Sequence, residues 1–420
     1  MLPTPHAYDP ILAVRDLRKE KDGFPWLFLL AAAIVFGFSL FMYAWQFQFP
    51  VTDLHVHAVI AGEFDFSDLH TITSRLAYPV WHLCVAVLFQ LGVPLVMASA
   101  IVCATAKTLS FWLIWLLLRV LTQGQLHRNM ITAAAFLLML VTGLRIPSVN
   151  DAVYKGIGSP NVWHNPTQIM VIVSMLLCLP YLAHCWYTFE RLEPLHKEKT
   201  MLPWHMVVIL ATLGMFSLAC KPTFMQALIP AAAIFFLIQW IRHPKNSRYF
   251  RQLILAFLPS VLYFLLQYLY YTGVLVPFSS GVEIGITAES IISALRNMAI
   301  MAAFPLFALL CCPRKELARD KTLTLTLIML VMSLLQAMLF HETGLRWGHG
   351  NFNWASMSVA LLLWVLMTGH FLRSFALFCK REKKTWAKGT LFGVGFALLL
   401  WHVYSGVYYI YYLFHTNNSF

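Results

Sequence analysis

Charge is scarce in this sequence of 420 residues, because only 11% of them are Asp, Glu, Lys or Arg. A soluble globular domain carries roughly 25% charged residues. The chain is instead 60% hydrophobic with a mean hydropathy of +0.69. Apolar runs long enough to cross ~30 Å of hydrocarbon as helices recur from end to end. The composition therefore predicts an all-α polytopic membrane protein and leaves no room for a soluble catalytic domain.

Cysteine motifs and a leader-cleavage signature are also missing. The eight Cys residues form no CxxC pair and no repeated spacing, so we interpret them as small hydrophobic residues rather than a disulfide framework or a zinc site. The first apolar run, 24–45, lacks a small-residue cleavage pattern and is expected to be a retained signal anchor. The net charge of +12 does not indicate nucleic acid binding, because the basic residues form short clusters between apolar runs.

About eleven spanning helices are predicted from the apolar runs. A further stretch, Tyr78–Leu91, is too short to span and is interpreted as a re-entrant or interfacial helix. The predicted spans are 24–47, 94–120, 129–147, 165–189, 203–219, 224–241, 252–272, 288–311, 322–340, 355–377 and 389–414. They divide the chain into a cytoplasmic segment 1–23, a transmembrane module 24–272 with a first outer loop 48–93, and a second transmembrane module 273–420.

The basic residues predict the orientation of the chain. With the N-terminus inside, most of the 30 Lys and Arg residues fall in cytoplasmic connections, which lie near 15–21, 119–128, 191–199, 242–251, 314–321 and 373–388. Counting Tyr78–Leu91 as a span would invert everything after it and scatter this asymmetry, so the positive-inside rule favours the re-entrant assignment. The C-terminus is then outside, and function is expected in the longer outer connections.

The first outer connection contains Asp53, His55 and His57 directly after the first span. Acids and imidazoles beside a membrane-embedded segment suit general acid–base chemistry at an interface. Alternating Asp and His also offer hard and borderline ligands for a divalent cation. Asp65 and Asp68, which follow in the same loop, are interpreted as ordinary solvated charges.

The next two outer connections contribute an aromatic pair and a lone cation. Trp163 and His164 are candidate lining residues of a substrate cavity, whereas Asn165 and the proline after it are explained as signals that start a helix. Lys221 stands beside a proline between two apolar helices. It either snorkels to the interface or serves as a point charge for a lipid-linked phosphate.

The fourth outer connection is the densest polar segment of the chain. Arg346 offers bidentate donors suited to phosphate, and Glu342 can pair with it. His349 and Asn351 are further candidates for the substrate cavity, and Trp354 can stack on a sugar. The alternative is an ion pair between Arg346 and Glu342 that only holds the loop together.

Together these features resemble the GT-C superfamily of multispanning glycosyltransferases, which use polyprenyl-phosphate-linked sugars. The resemblance rests on Asp53 after the first span, the extended first outer loop, Tyr78-Pro79 opening a re-entrant helix, and the Lys221-Pro222 break. It covers roughly the first 270 residues, and the remaining helices correspond to the variable part of the family. The best-known members carry paired acids at the first site, whereas this chain has Asp53-Leu-His-Val-His57.

The resemblance implies a role for each candidate. Asp53 is the expected general base in an inverting transfer, Lys221 and Arg346 neutralise the leaving phosphate, and His55 or His57 hold Asp53 or bind a divalent cation with it. The implied partners are a polyprenyl-phosphate sugar donor, a glycan, lipid or protein acceptor, and the membrane. The implied location is a bacterial cytoplasmic membrane with an outward-facing site.

Three other functions remain open at the level of sequence. A polymerase or ligase of lipid-linked polysaccharides also needs outer cations. A transporter or flippase of lipid-linked glycans predicts internal repeats and broken helices near the midplane, and the sequence contains no convincing repeat. A non-catalytic membrane subunit is the third alternative.

Overall fold

The protein is described from a computed structural model that covers residues 8–17, 25–68, 70–73, 77–149, 158–196, 200–272, 274, 281–344 and 352–415. Most of these residues are helical. The apolar sequence accounts for this, because a helix satisfies its backbone polar groups internally and needs no water to do so.

The first half of the chain alternates long apolar helices with short ones. Its helices are α1 (Pro10–Leu17), α2 (Trp26–Phe47), α3 (Asp53–Gly62), α4 (His70–Thr73), α5 (Val80–Gln90), α6 (Leu95–Thr122), α7 (Arg128–Leu138), α8 (Pro166–His196) and α9 (Trp204–Cys220).

The second half contains the remaining helices and one small antiparallel sheet. The helices are α10 (Thr223–Arg242), α11 (Ser247–Tyr271), α12 (Ala288–Met301), α13 (Ala303–Cys311), α14 (Arg314–Leu317), α15 (Lys321–Leu339), α16 (Asn353–Cys379) and α17 (Trp386–His415). The strands β1 (Val282–Ile284) and β2 (Phe340–Glu342) pair with Glu283 opposite His341.

Eight of the described helices are long and apolar enough to cross a membrane: α2, α6, α8, α10, α11, α15, α16 and α17. The pair α12 and α13, bent by 64°, gives a ninth if it counts as one span. Two further predicted spans overlap the shorter apolar helices α7 and α9. The chain is therefore an all-α, multi-pass membrane protein. The stretch Tyr78–Leu91 contains α5, whose 11 residues are too few to span.

The helix predicted at 129–147 is shorter in the structure, because α7 ends at Leu138. Irregular backbone follows it and is buried at Val141, Thr142 and Leu144. Its polar groups bond to α17: the ring of His402 contacts the Thr142 carbonyl at 2.6 Å, and the Ser405 hydroxyl accepts from the Arg145 amide at 2.9 Å. Such backbone is tolerated at membrane depth only where protein covers it.

The bend between α12 and α13 follows from a proline. Pro305 has no N–H to donate to the carbonyl of Met301, four residues earlier. The indole of Trp364 donates to that carbonyl instead, at 3.0 Å. The amide of Leu144 donates to the adjacent Ile300 carbonyl at 3.1 Å. The break is thus satisfied by neighbouring protein groups.

Helix α16 lies at the centre of the bundle, and 94% of the residues in its most apolar 18-residue stretch are buried. One end of the bundle is the place where α2 and α9 end and where α3, α8, α10 and α16 begin. We call it the Asp53 end.

The opposite end contains α1, α14 and the last turns of α8 and α16, and we call it the basic end. Buried Asp9 pairs there with His184 and Arg191 of α8. Arg373 of α16 pairs with Glu316 at 2.9 Å. These ion pairs hold the short N-terminal helix and α14 against the bundle.

Candidate functional site

The start of α3 fixes the position of Asp53. Thr52 is the N-cap, and its hydroxyl accepts from the amide of His55 at 3.3 Å. The same hydroxyl donates toward the carbonyls of Gln46 and Phe49, at 3.0 and 2.9 Å, which ties the cap to the end of α2. Asp53 is the first residue of the helix, where the helix dipole favours a negative charge.

Asn165 connects this carboxylate to a lysine. Its side-chain amide donates to Asp53 Oδ2 at 2.8 Å, and its Oδ1 accepts from Lys221 Nζ at 3.2 Å. The same Oδ1 accepts from the amide of Gln168 and the hydroxyl of Thr167, both at 2.9 Å, as expected of an N-cap of α8. We call the three residues the Asp53–Asn165–Lys221 bridge.

Lys221 is buried between the end of α9 and the start of α10. Only 7% of the residue is exposed, and its ammonium lies 4.1 Å from the ring centre of Trp354. Burial lowers the pKa of Lys221 to about 8, although the negative charge of Asp53 opposes the shift. Within the described part of the chain, no carboxylate pairs directly with this ammonium.

A buried polar cluster holds the helices around the bridge. The side-chain amide of Gln168 donates through Nε2 to the Ser358 hydroxyl at 2.7 Å. The Thr223 hydroxyl donates to the side-chain oxygen Oε1 of Gln168 at 3.1 Å. These residues belong to α8, α16 and α10. Because buried polar groups that are fully paired specify one packing arrangement, the cluster fixes Lys221 relative to Asn165.

His164 lies beside the bridge, and its predicted role as a lining residue of a substrate cavity stays a prediction. It is buried, and its Nδ1 lies 2.6 Å from the Tyr409 hydroxyl of α17. Its ring is 5.9 Å from that of Trp354. Burial lowers the pKa of His164 to about 3, with Asp53 opposing and Lys221 adding to the shift. The imidazole is therefore neutral at pH 7.

Trp163 is buried like its neighbour and packs in a hydrophobic core cluster. Its indole donates to the Met139 carbonyl at 3.1 Å. Lys107 of α6 lies 4.2 Å above its ring and donates to Asn161 Oδ1. The structure thus places Trp163 in packing contacts, where it supports the segment that presents Asn165.

His55 and His57 point to different partners. His55 Nδ1 lies 2.8 Å from the Phe47 carbonyl, whereas His57 Nδ1 lies 2.9 Å from His82 Nε2 on α5. Burial lowers the pKa of His57 to about 4 and that of His82 well below the ordinary value, so the pair is neutral at pH 7. Across the described ranges, no three His, Cys, Asp or Glu side chains are placed to hold a metal ion. The cation site predicted from Asp53, His55 and His57 stays a prediction.

The fourth predicted segment is described only at its edges. Arg346, His349 and Asn351 lie outside the described residues. Glu342 is half-buried in β2, opposite Val282 of β1. Their predicted roles in phosphate and substrate binding stay predictions.

Two residues of the site were missed at the level of sequence. Helix capping alone explains Asn165 locally, although its position directly after Trp163-His164 in a predicted outer connection is a sequence signal for a site residue. Tyr409 stands in a long apolar helix, and nothing around it distinguishes it from the neighbouring tyrosines.

Compared with models of known protein families and with curated protein sequences, the chain matches none. The function must therefore be argued from the geometry of the site.

Proposed function

We propose that this chain is a membrane glycosyltransferase that transfers a sugar from a polyprenyl-phosphate-linked donor to an acceptor hydroxyl. The Asp53–Asn165–Lys221 bridge is the observation that carries the proposal. It places a carboxylate and a buried ammonium one amide apart, with distances of 2.8 and 3.2 Å along the connection. An inverting transfer from a lipid phosphate is helped by a base for the acceptor hydroxyl and a cation for the leaving phosphate.

Each charged group has one task in the reaction. Asp53 accepts the proton of the acceptor hydroxyl, whose oxygen attacks the anomeric carbon. The bond between that carbon and the phosphate oxygen breaks, and the phosphate leaves with the electron pair. Lys221 stabilises the negative charge that develops there, and such stabilisation is strongest where water is excluded. The sugar ends on the acceptor with inverted configuration.

Asn165 supports this chemistry by keeping the two charges apart. A direct ion pair would neutralise both groups, whereas the amide of Asn165 donates a hydrogen bond to one oxygen of Asp53 and accepts one from Lys221. The second carboxylate oxygen and the remaining N–H bonds of the ammonium are thereby left for substrates.

We further infer eleven passes, with the N-terminus inside and the Asp53 end outside. One of these passes combines the 11-residue helix α7 with the buried irregular segment that follows it. Asp9, at the start of α1, pairs with His184 at the basic end, whereas Tyr409, near the end of α17, bonds to His164 at the Asp53 end. Because these two parts of the chain lie at opposite ends of the bundle, the number of passes between them is odd. The positive-inside rule supports the orientation. In a bacterium, the site then faces the periplasmic side of the cytoplasmic membrane.

The rival functions gain no specific support. A transporter would use the broken helix α12–α13 to coordinate its cargo, but the carbonyls freed there already accept from Trp364 and Leu144. A polymerase or ligase of lipid-linked polysaccharides uses the same donor chemistry and differs only in the acceptor.

The proposal is tested with the purified full chain in lipid nanodiscs. We expect it to bind polyprenyl phosphate and to transfer label from at least one member of a panel of radiolabelled polyprenyl-phosphate sugars, with release of polyprenyl phosphate. Lys221→Met should weaken polyprenyl phosphate binding, whereas the exposed Lys245→Met should leave it unchanged. Absence of transfer from every donor, together with absence of polyprenyl phosphate binding, would overturn the proposal.

A further inference from the structure

An apolar groove opens on the outside of the bundle, far from the Asp53 end. Its volume is about 790 Å³, which is within the range of small-molecule sites. Helices α10, α13, α14 and α15 form its walls. The lining residues include Arg314, Leu323, Leu327, Ile328, Val331 and Met332.

The groove has the depth of one lipid leaflet. It follows α15 from Leu323 to Met332, and these ten residues rise ~14 Å along the helix. Half of a ~30 Å hydrocarbon core is about 15 Å. Val331 and Leu310 on its rim are 52% and 67% exposed, so the groove is open to the surrounding lipid. Its walls therefore suit an extended acyl chain.

The mouth of the groove is positively charged. Arg314 lines it, and Lys315 is exposed on the same short helix. The acidic residues of this segment are turned inward, because Glu316 pairs with Arg373 at 2.9 Å and buried Asp320 pairs with His370 at 2.8 Å. The cationic side chains of this segment are therefore exposed at the membrane surface, whereas its acidic side chains are paired inside the protein.

We propose that this groove binds one anionic phospholipid of the surrounding bilayer, with an acyl chain along α15 and the phosphate at Arg314 and Lys315. Each Lys or Arg near a membrane surface attracts anionic lipid. A guanidinium also donates two parallel hydrogen bonds to a phosphate. The inference does not depend on the proposed glycosyl transfer, since the groove and the bridge lie at different ends of the bundle.

Native mass spectrometry of the purified full chain tests whether the charges of Arg314 and Lys315 contribute to phospholipid binding. Phosphatidylglycerol should be retained, whereas phosphatidylcholine should bind more weakly by roughly tenfold. The double variant Arg314→Ser/Lys315→Ser should lose phosphatidylglycerol affinity by roughly 30-fold, which corresponds to ~2 kcal/mol for two charges. The matched control Lys383→Ser/Lys384→Ser removes the same charge from an exposed connection and should leave affinity unchanged. Equal loss in both variants would overturn the proposal.

A bulky substitution in the groove tests whether the acyl chain of the lipid lies there. Val331→Trp places an indole in the groove and should reduce phosphatidylglycerol binding at least fivefold, whereas Val261→Trp on the exposed face of α11 should not. Both variants should keep the wild-type Tm, which separates displacement of lipid from misfolding. Normal phosphatidylglycerol binding by Val331→Trp, or full competition by soluble glycerol phosphate, would show that surface charge alone attracts the lipid and would contradict the proposal.

Discussion

Lys221 keeps its ammonium where little water reaches it. A buried charge is costly unless it is paired and hydrogen-bonded. The described partners of Lys221 are the Asn165 oxygen, which carries no net charge, and the Trp354 ring. An anion bound beside the ammonium would complete its environment, and a phosphate is the anion that the proposed donor carries.

The titration of Lys221 gives the first prediction. Because its pKa is about 8, the residue is protonated below pH 8 and loses its charge above it. A phosphate monoester has its second pKa near 6 and is already fully charged above pH 7. The affinity for polyprenyl phosphate should therefore be constant from pH 7 to 8 and fall by about tenfold per pH unit above that.

Lys221→Arg is the matched control for this titration, because arginine stays protonated through pH 10. Equilibrium binding of labelled polyprenyl phosphate at intervals between pH 7 and 10 measures both proteins. We expect a flat profile for Lys221→Arg. The same decline in both proteins would mean that another group titrates.

Asn165 gives the second prediction, because capping and bridging can be separated there. Asn165→Ser keeps a capping oxygen but removes the amide that joins Asp53 to Lys221, so transfer should fall on the order of 10²-fold while Tm stays close to wild type. Asn165→Ala removes both functions and should also destabilise the protein by ~1 kcal/mol. Wild-type transfer by Asn165→Ser would show that the residue is only a cap.

At this scale, residue types predicted part of the site and could not predict its connections. Asp53, His164 and Lys221 were chosen because they are polar in apolar surroundings, and they do lie together. Asn165 was missed because its capping role is visible locally, whereas its bridging role depends on contacts with residues 112 and 56 positions away. Trp163 is a residue type that often lines substrate cavities, but whether it is buried in the core depends on tertiary packing, which its local sequence does not reveal.

Among the elements, the close approach of α17 to the irregular segment after α7 gives the third prediction. A Cβ placed on Gly406 would lie 1.4 Å from the Leu140 carbonyl oxygen, which is backbone and cannot rotate away. Gly406→Ala should therefore lower the free energy of unfolding by ~2 kcal/mol or more.

Gly393→Ala in the same helix is the control, because a Cβ there meets nothing within 4 Å. It should stabilise α17 slightly, by up to ~1 kcal/mol. Thermal unfolding of the two purified variants compares them directly. Similar Tm values would contradict the close packing of α17 on Leu140.

Helix lengths were predictable where the apolar runs are long and uninterrupted, as in α2 and α16. The end of α7 was not, because Val141 and Leu144 are apolar whether they continue a helix or form buried irregular backbone. The bend at Ala302 had a signal in Pro305, but prolines at 180 and 230 stand inside continuous helices. Tertiary partners such as Trp364 decide which proline ends a helix.

For the whole molecule, the inferred orientation gives the fourth prediction. Ser67 is exposed near the Asp53 end and Lys383 near the basic end. In a background with the exposed Cys84 and Cys379 replaced by Ser, a membrane-impermeant maleimide should label Ser67→Cys in intact cells. Lys383→Cys should react only after the membrane is permeabilised. The reverse pattern would place Asp53 in the cytoplasm.

In the proposed glycosyl transfer, Asp53 is the base, and it lies at the end of the bundle where Lys221 would bind the donor phosphate. Asp53→Asn keeps the size of the side chain and removes its basicity. The matched control is Asp65→Asn, which changes an exposed acid of the same loop.

The most direct measurement compares sugar transfer and polyprenyl phosphate binding by these two variants in nanodiscs. Asp53→Asn should lose 10²–10⁴-fold in transfer, the typical contribution of a general base, and should still bind polyprenyl phosphate. Asp65→Asn should match the wild type in both. Wild-type transfer by Asp53→Asn would contradict the assignment of Asp53 as the base.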